Sequence, residues 1–259
     1  MRVLHSVRWW WLLLISLPCG MAWAQTPVSG AVTVRLMSQY DYPPFQTGAE
    51  EGLTFELAEY LTRHANGQYR FVAEVLPRKR LDLYLADPAA LWVVPWAVPR
   101  FFGPDATSTY AWSPPYMADG NHLLTRKGSA IRYTGPESLA GLRFGATLGH
   151  RYGLLDPLVQ AGRLMREDCY NLLCNVEKLK RDRVDFAWVP SGSIGYLRKQ
   201  VSDFDTSIEV SVRPVESFER SFMLPKGQPA LQRYLEGMVR KLASDPAWKD
   251  ALNPAGMGR

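Results

Sequence analysis

The stretch Val32-Thr33-Val34-Arg35-Leu36-Met37-Ser38-Gln39-Tyr40-Asp41-Tyr42-Pro43-Pro44-Phe45, continued from Gly52 by Leu53-Thr54-Phe55-Glu56-Leu57-Ala58-Glu59-Tyr60-Leu61, decides the fold. Val32, Val34, Leu36 and Met37 read as a short apolar strand, and Leu53, Leu57, Ala58 and Leu61 recur at helical spacing. Between them the loop 40–45 carries three rings and two prolines in six residues. Each proline fixes its own φ and drives the preceding residue out of the helical region. A stiff ledge at the end of a strand is where open α/β sheets bind ligands.

The alternation continues along the chain. Strands are expected over 69–76, 91–94, 142–147, 184–189, 208–212 and 221–224. Helices are expected over 80–85, 151–160, 171–181, 193–199 and 229–244. The segment 110–116 leads into His122-Leu123-Leu124-Thr125, which reads as a crossover between two lobes. Alternating units of this kind mean an α/β architecture with largely parallel sheets.

The N-terminus gives the compartment. Arg2 and Arg8 precede the apolar run Trp9 to Ile15, and Ala22-Trp23-Ala24 has the small-x-small form of a cleavage site before Gln25. Residues 1–24 therefore read as a secretory signal peptide, and a lipid anchor on Cys19 is disfavoured by the proline before it. Removing 1–24 removes two arginines and no acid, so the formal charge falls from +5 to +3. Export and so mild a charge argue against nucleic acid as a partner. Cys169 and Cys174 remain, and in an oxidising compartment a pair is the expected disulfide. They can bridge if Cys169 lies in the turn before a helix and Cys174 in its first turns, with Asn171 as the N-cap; the alternative is two buried free thiols. No histidine lies near enough to suggest a metal site, and no cofactor motif is present.

Four segments occur in order: the Pro-Pro-Phe loop, Trp112-Ser113-Pro114-Pro115-Tyr116, Ser138-Leu139-Ala140-Gly141-Leu142-Arg143-Phe144-Gly145, and Arg183-Val184-Asp185-Phe186-Ala187. Together they resemble the extracellular solute-binding proteins of family 3, the polar amino-acid type of periplasmic binding protein, over about Val32 to Ala243. The resemblance implies a type II, Venus-flytrap α/β fold: two lobes, joined by two crossover hinge strands, that close on a ligand. Lobe 1 would comprise 25–117 and 217–259, and lobe 2 would comprise 118–216.

The resemblance also assigns roles. Phe45 or Tyr42 would stack on the ligand, Ser113 or its backbone would meet a carboxylate, and Trp112 would sit at the cleft or the hinge. The turn Gly149-His150-Arg151-Tyr152 would hold an anionic group on helix N-terminal amides, with Arg151 adding a bidentate contact. His150 stands where relatives often carry a small hydroxyl residue, which makes pH-sensitive binding an expectation. The family's Thr-x-x-Arg clamp has no clear counterpart, so Arg80 or Arg100 is the candidate for its charge. The acid expected five residues after Asp185 is replaced by Pro190, beside Trp188, so the usual ammonium anchor is missing. Tyr40, Tyr42, Phe45, Trp96, Trp112 and Trp188 would give the cleft aromatic walls.

The expected function is capture of a small polar or aromatic solute, first of all a carboxylate-bearing one, by a monomer in the periplasm that serves an ABC importer. A cationic ligand held by Asp41 and Glu51 ranks second. A sensor that presents its closed form to a membrane receptor is the alternative, and a periplasmic dehydratase-like enzyme is a minority reading, since no nucleophile elbow or phosphate loop is present.

Overall fold

A computed structural model describes residues 30–87, 90–249 and 251–252. The signal peptide read over 1–24, and Cys19 with it, lie outside the described residues. The described strands are β1 (Val32–Ser38), β2 (Tyr69–Val75), β3 (Trp92–Ala97), β4 (Tyr110–Trp112), β5 (Met117–Arg126), β6 (Arg143–Thr147), β7 (Met165–Cys169), β8 (Phe186–Pro190), β9 (Ile208–Val210) and β10 (Glu216–Pro225). They run in the order β2-β1-β3-β10-β5-β8-β6-β7, with β4 added to β10 and β9 to β5.

Strands β1, β2 and β3 are parallel, as are β6, β7 and β8. The two parallel groups meet through β5 and β10, each ten residues long and antiparallel to the other. Residues 221–225 of β10 pair with β3 and β4, whereas 216–220 pair with β5. The far end of β5 pairs with β8 and β9. Each long strand thus begins in one lobe and ends in the other. The C-terminal ends of β1 and β6 face one another across the cleft, which brings the loop after Ser38 to the turn after Thr147.

The aromatic loop and the first helix hold each other. Helix Leu53–His64 starts at Gly52, whose φ of 108° keeps a side chain out of this position. A Cβ there would also meet the Phe45 carbonyl oxygen, the Gln46 Cα and the Thr47 nitrogen at 2.9 Å. The first helical amides, of Leu53 and Thr54, donate to the Pro44 and Phe45 carbonyls at 2.9 and 3.0 Å. The loop therefore does the work of an N-cap. Leu53, Leu57, Ala58 and Leu61 are buried, as their spacing requires. The C-terminal helix spans Pro229–Ser244, buries Leu231, Leu235, Met238 and Leu242, and stacks Tyr234 on Phe71 of β2.

Two expectations are corrected, and one strand was not expected. The helix expected over 151–160 is only Asp156–Gln160. A start at Arg151 would put Pro157 inside the helix, where it lacks an N–H and clashes with the preceding turn; in the first turn it costs nothing. The strand expected over 221–224 is the second half of β10, whose first half was hidden by its glutamates and arginine. β7 carries Arg166, Glu167 and Asp168, a charged edge strand that pairs only with β6.

The cysteines are joined. Cys169 ends β7, Cys174 lies in the first turn of helix Leu172–Lys180, and their Cα atoms are 5.9 Å apart. Asn171 caps that helix, its Oδ1 accepting from the Cys174 amide at 2.9 Å. Closing so short a loop restricts the unfolded chain modestly. Replacing both cysteines by serine should lower stability by about 2 kcal/mol in urea unfolding; no loss would mean that the capped turn holds its geometry without the bond.

Candidate functional site

The cleft is organised around a buried ion pair on the two crossover strands. Arg220 of β10 donates from Nε and Nη2 to Asp119 Oδ2 of β5 at 2.9 and 2.7 Å, and from Nη1 to the Trp96 carbonyl at 2.8 Å. Both charged residues are 1% exposed. The guanidinium lies 4.6 Å from the Tyr40 ring, 5.1 Å from Phe45 and 5.0 Å from Phe218. Tyr40 packs at 4.9 Å on Phe45, and its edge contacts reach Tyr42 at 5.7 Å and His150 of the opposite lobe at 6.0 Å.

Above this platform is a small, partly open cavity of about 30 Å³, enough for water but not for an amino acid. From the first side it is lined by Gln39, Tyr40, Tyr42 and Phe101, and from the crossover strands by Asn121, Phe218 and Arg220. Thr147, His150, Arg151 and Tyr152 come from the turn after β6, Leu172 from the start of its helix, and Trp188 and Pro190 from β8. This lining contains two arginines and no carboxylate. Two of the residues that line it carry a buried polar atom with no hydrogen-bond partner among the described residues: Thr147 its hydroxyl and Trp188 its indole N–H, on residues 8% and 2% exposed. Such atoms cost stability unless something is bound to them.

The turn after β6 is clamped from behind. Arg166 donates from Nη2 to the Thr147 and His150 carbonyls at 3.1 and 2.9 Å and pairs with Asp168 at 2.9 Å. The Tyr152 hydroxyl accepts from the Thr147 amide at 2.9 Å. The Tyr152 amide donates to Asp156 Oδ2 at 3.0 Å, and the His150 amide donates to the Thr147 carbonyl. A helix N-terminus is therefore not presented by Gly149–Tyr152, because the helix begins later and its own acid has taken the Tyr152 amide. Burial, followed by Arg78, Arg166 and Arg220, pushes His150 down to about 3, so the imidazole is neutral at physiological pH. Burial, and then Tyr40, holds the Tyr42 phenol well above its ordinary range.

Of the residues singled out in the sequence, Tyr42, His150, Arg151 and Trp188 line the cavity; Arg151 is also exposed to solvent. The other six stand elsewhere. Phe45 lies beneath, between the Arg220 guanidinium and Trp96. Trp96 is core, its Nε1 donating to Thr54 Oγ1 at 3.0 Å. Arg80 is exposed beside Tyr84, and the same helix turns Arg78 inward instead. Arg78 donates to the Phe101 carbonyl at 2.8 Å, to Gln39 Oε1 at 3.2 Å and to Asp82 at 2.8 Å. Arg100 pairs with Glu216 at 2.8 Å, and Glu216 also accepts from Asn121 at 2.7 Å. Trp112 donates to the Ala106 carbonyl, and Ser113 braces β4 against β10 by exchanging bonds with Phe222.

Arg220 and its acid escaped the sequence reading. Their signal was the alternation Glu216, Phe218, Arg220, Phe222, which places charge on the same strand face as phenylalanine.

The lobes touch at two glycines. A Cβ on Gly149 would lie 3.1 Å from the Lys79 Cγ and 3.4 Å from the Arg78 Cβ; one on Gly153 would lie 3.1 Å from the Arg100 Cδ.

Comparison with solved structures agrees with this geometry. Holo ArgBP from T. maritima superposes with a TM-score of 0.64 at 16% identity, over 83% of this chain and 92% of that one. The fold is that of the two-lobed periplasmic binding proteins. A structure describing glutathione import via GshT and the cystine ABC importer TcyBC of Streptococcus mutans gives 0.68 at 16% identity, over 86% and 93%. AncCDT-1, an ancestral amino-acid-binding protein and precursor of cyclohexadienyl dehydratase, gives 0.64 at 17% identity, over 85% and 92%. No protein-family model and no curated protein sequence matches the chain. No helix among the described residues is long and apolar enough to cross a membrane.

Two outcomes are expected. Arg220→Met strands Asp119 as an unpaired buried carboxylate and should cost about 3–5 kcal/mol, whereas Arg220→Met with Asp119→Leu should cost clearly less. Equal losses in urea unfolding would show that the pairing is not what matters. The second concerns pH. His150 is depressed below the 6.5 or so of an unfolded histidine, so the unfolded state binds the extra proton between pH 6.5 and about 3. The stability of the neutral residue is complete above pH 6.5 and is lost progressively on acidification. His150→Gln should lose less stability than the wild type between pH 7.5 and 4.5, and parallel profiles would count against the assignment.

Proposed function

We propose that this chain captures a small, carboxylate-bearing solute between its lobes. The observation that carries this reading is the lining itself: Arg151 and Arg220, the unpartnered Thr147 hydroxyl and Trp188 indole N–H, and no acidic side chain. Two guanidinium groups favour an anion, and a hydroxyl and an indole N–H can complete its hydrogen bonds. The position that the family resemblance assigns to an ammonium-binding acid is Pro190, which lines the cavity and offers no charge. The aromatic side chains around it suit a flat or apolar body.

Binding then requires the lobes to part. The present cavity admits water only, and β5 and β10 are the strands through which the lobes are joined, so they absorb the change. Closure returns Gly149 to Arg78 and Lys79, and Gly153 to Arg100. The contacts that the ligand makes to both lobes offset the cost of closing and shift the population to the closed form. In this reading the loaded form is delivered to an ABC importer; the description of one structural neighbour, which includes the cystine ABC importer TcyBC, supports that role.

The test is calorimetric titration of the exported chain with benzoate, small dicarboxylates, amino acids and polyamines. An anionic ligand should bind, and Arg151→Ala should weaken it by about tenfold or more, the worth of a charge-assisted hydrogen bond. Arg151 is exposed, so the fold should not suffer. Binding of polyamines alone, or unchanged affinity in the variant, would sink the assignment.

A further inference from the structure

The inner cavity is not the whole of the space between the lobes. A second chamber of about 530 Å³ adjoins it at the mouth of the cleft. Gln39, Thr147 and His150 border both, so the two are parts of one interlobe space with a common wall. Thr147, whose hydroxyl has no hydrogen-bond partner among the described residues, belongs to that shared wall. The chemistry of the chambers differs. The inner one holds arginine and rings. The outer one is faced by Val75, Leu76 and Pro77 from the first lobe and by Leu148 and Tyr170 from the second. Leu148 is 52% and Tyr170 75% exposed, an apolar surface left in water on either side of the disulfide-bound strand end.

The charged groups at the mouth limit what fits. Arg78 is already engaged by Asp82, Gln39 and the Phe101 carbonyl, and its guanidinium lies 4.2 Å from the Phe102 ring. Asp41 borders the chamber and repels a second carboxylate. The space suits an uncharged tail.

Resting on the anionic reading of the inner cavity, we infer that the ligand is an amphipathic carboxylate whose charged head occupies the inner cavity and whose apolar tail lies in the mouth chamber. Leu148 and Tyr170 are then specificity-determining residues for tail length. Their exposure leaves apolar surface for the tail to cover, and the Cys169–Cys174 bond fixes the strand end from which Tyr170 projects. A ligand without an apolar tail would leave this surface wet.

The experiment is a calorimetric series on the exported chain at pH 7.5: benzoate, 3-phenylpropanoate, 4-phenylbutanoate and 5-phenylpentanoate. The dissociation constant should fall about fourfold for each added methylene until the chamber is filled, which is the gain for burying one such group. In the Leu148→Ser, Tyr170→Ala double variant the slope against chain length should flatten. Both residues are exposed, and circular dichroism will confirm that the variant is folded. Equal affinity along the series, or an unchanged slope in the double variant, overturns the mouth subsite and leaves the inner-cavity reading in place if benzoate binds. Failure of every member to bind overturns the mouth subsite, and the inner-cavity reading with it if the small dicarboxylates and amino acids also fail to bind.

Discussion

Everything in the cleft rests on a salt bridge placed where the chain passes from lobe to lobe. Asp119 and Arg220 sit on the two crossover strands, buried, with the Tyr40, Phe45 and Phe218 rings packed around the guanidinium. Desolvating two charges offsets most of what their attraction gains, so the pair contributes little net stability. Its effect is to fix register. A slip of one residue in β5 or β10 would turn one charge to the opposite face and leave the other unpaired inside the protein. The same guanidinium bonds the Trp96 carbonyl, which ties the floor of the cavity to β3.

From this pair the electrostatics of the cleft follow. Asp119 cancels much of the Arg220 charge, and His150 is neutral chiefly because it is desolvated, with Arg78, Arg166 and Arg220 adding to the effect. Arg166 contributes from behind the turn, where its bonds to two carbonyls hold His150 and Thr147 in place without entering the cavity.

The α/β alternation, the first strand and helix, the disulfide and its Asn171 cap were legible because each is a local matter of periodicity or spacing. The C-terminal helix was legible to the residue because Pro229 opens it and its buried positions repeat regularly. The site was legible in part. Tyr42, His150, Arg151 and Trp188 are in loops or strand ends next to recognisable segments. Arg220 and Asp119 were missed because their importance arises from pairing across a hundred residues of sequence, which no local pattern records, and Thr147 because a threonine at a strand end carries no signal that its hydroxyl is left without a partner among the described residues. Trp96 was misplaced for a general reason: an indole suits a ligand wall and a core equally, and only its bond to Thr54 tells them apart. Arg80 and Arg78 differ by two positions on one short helix, enough to send one to solvent and the other inward.

The two glycines at the lobe contact have a mechanical consequence. A Cβ on Gly149 or Gly153 would come nearest to the methylene stems of Lys79 and Arg100, with the fixed Arg78 side chain a little farther off, and to no backbone atom. Stems with several rotatable bonds give way under slight load, so the jaws close against a compliant buffer instead of a hard stop. In the proposed role, the final gap between the lobes would be set by the girth of whatever lies between them, and one scaffold would seal around guests of unequal thickness.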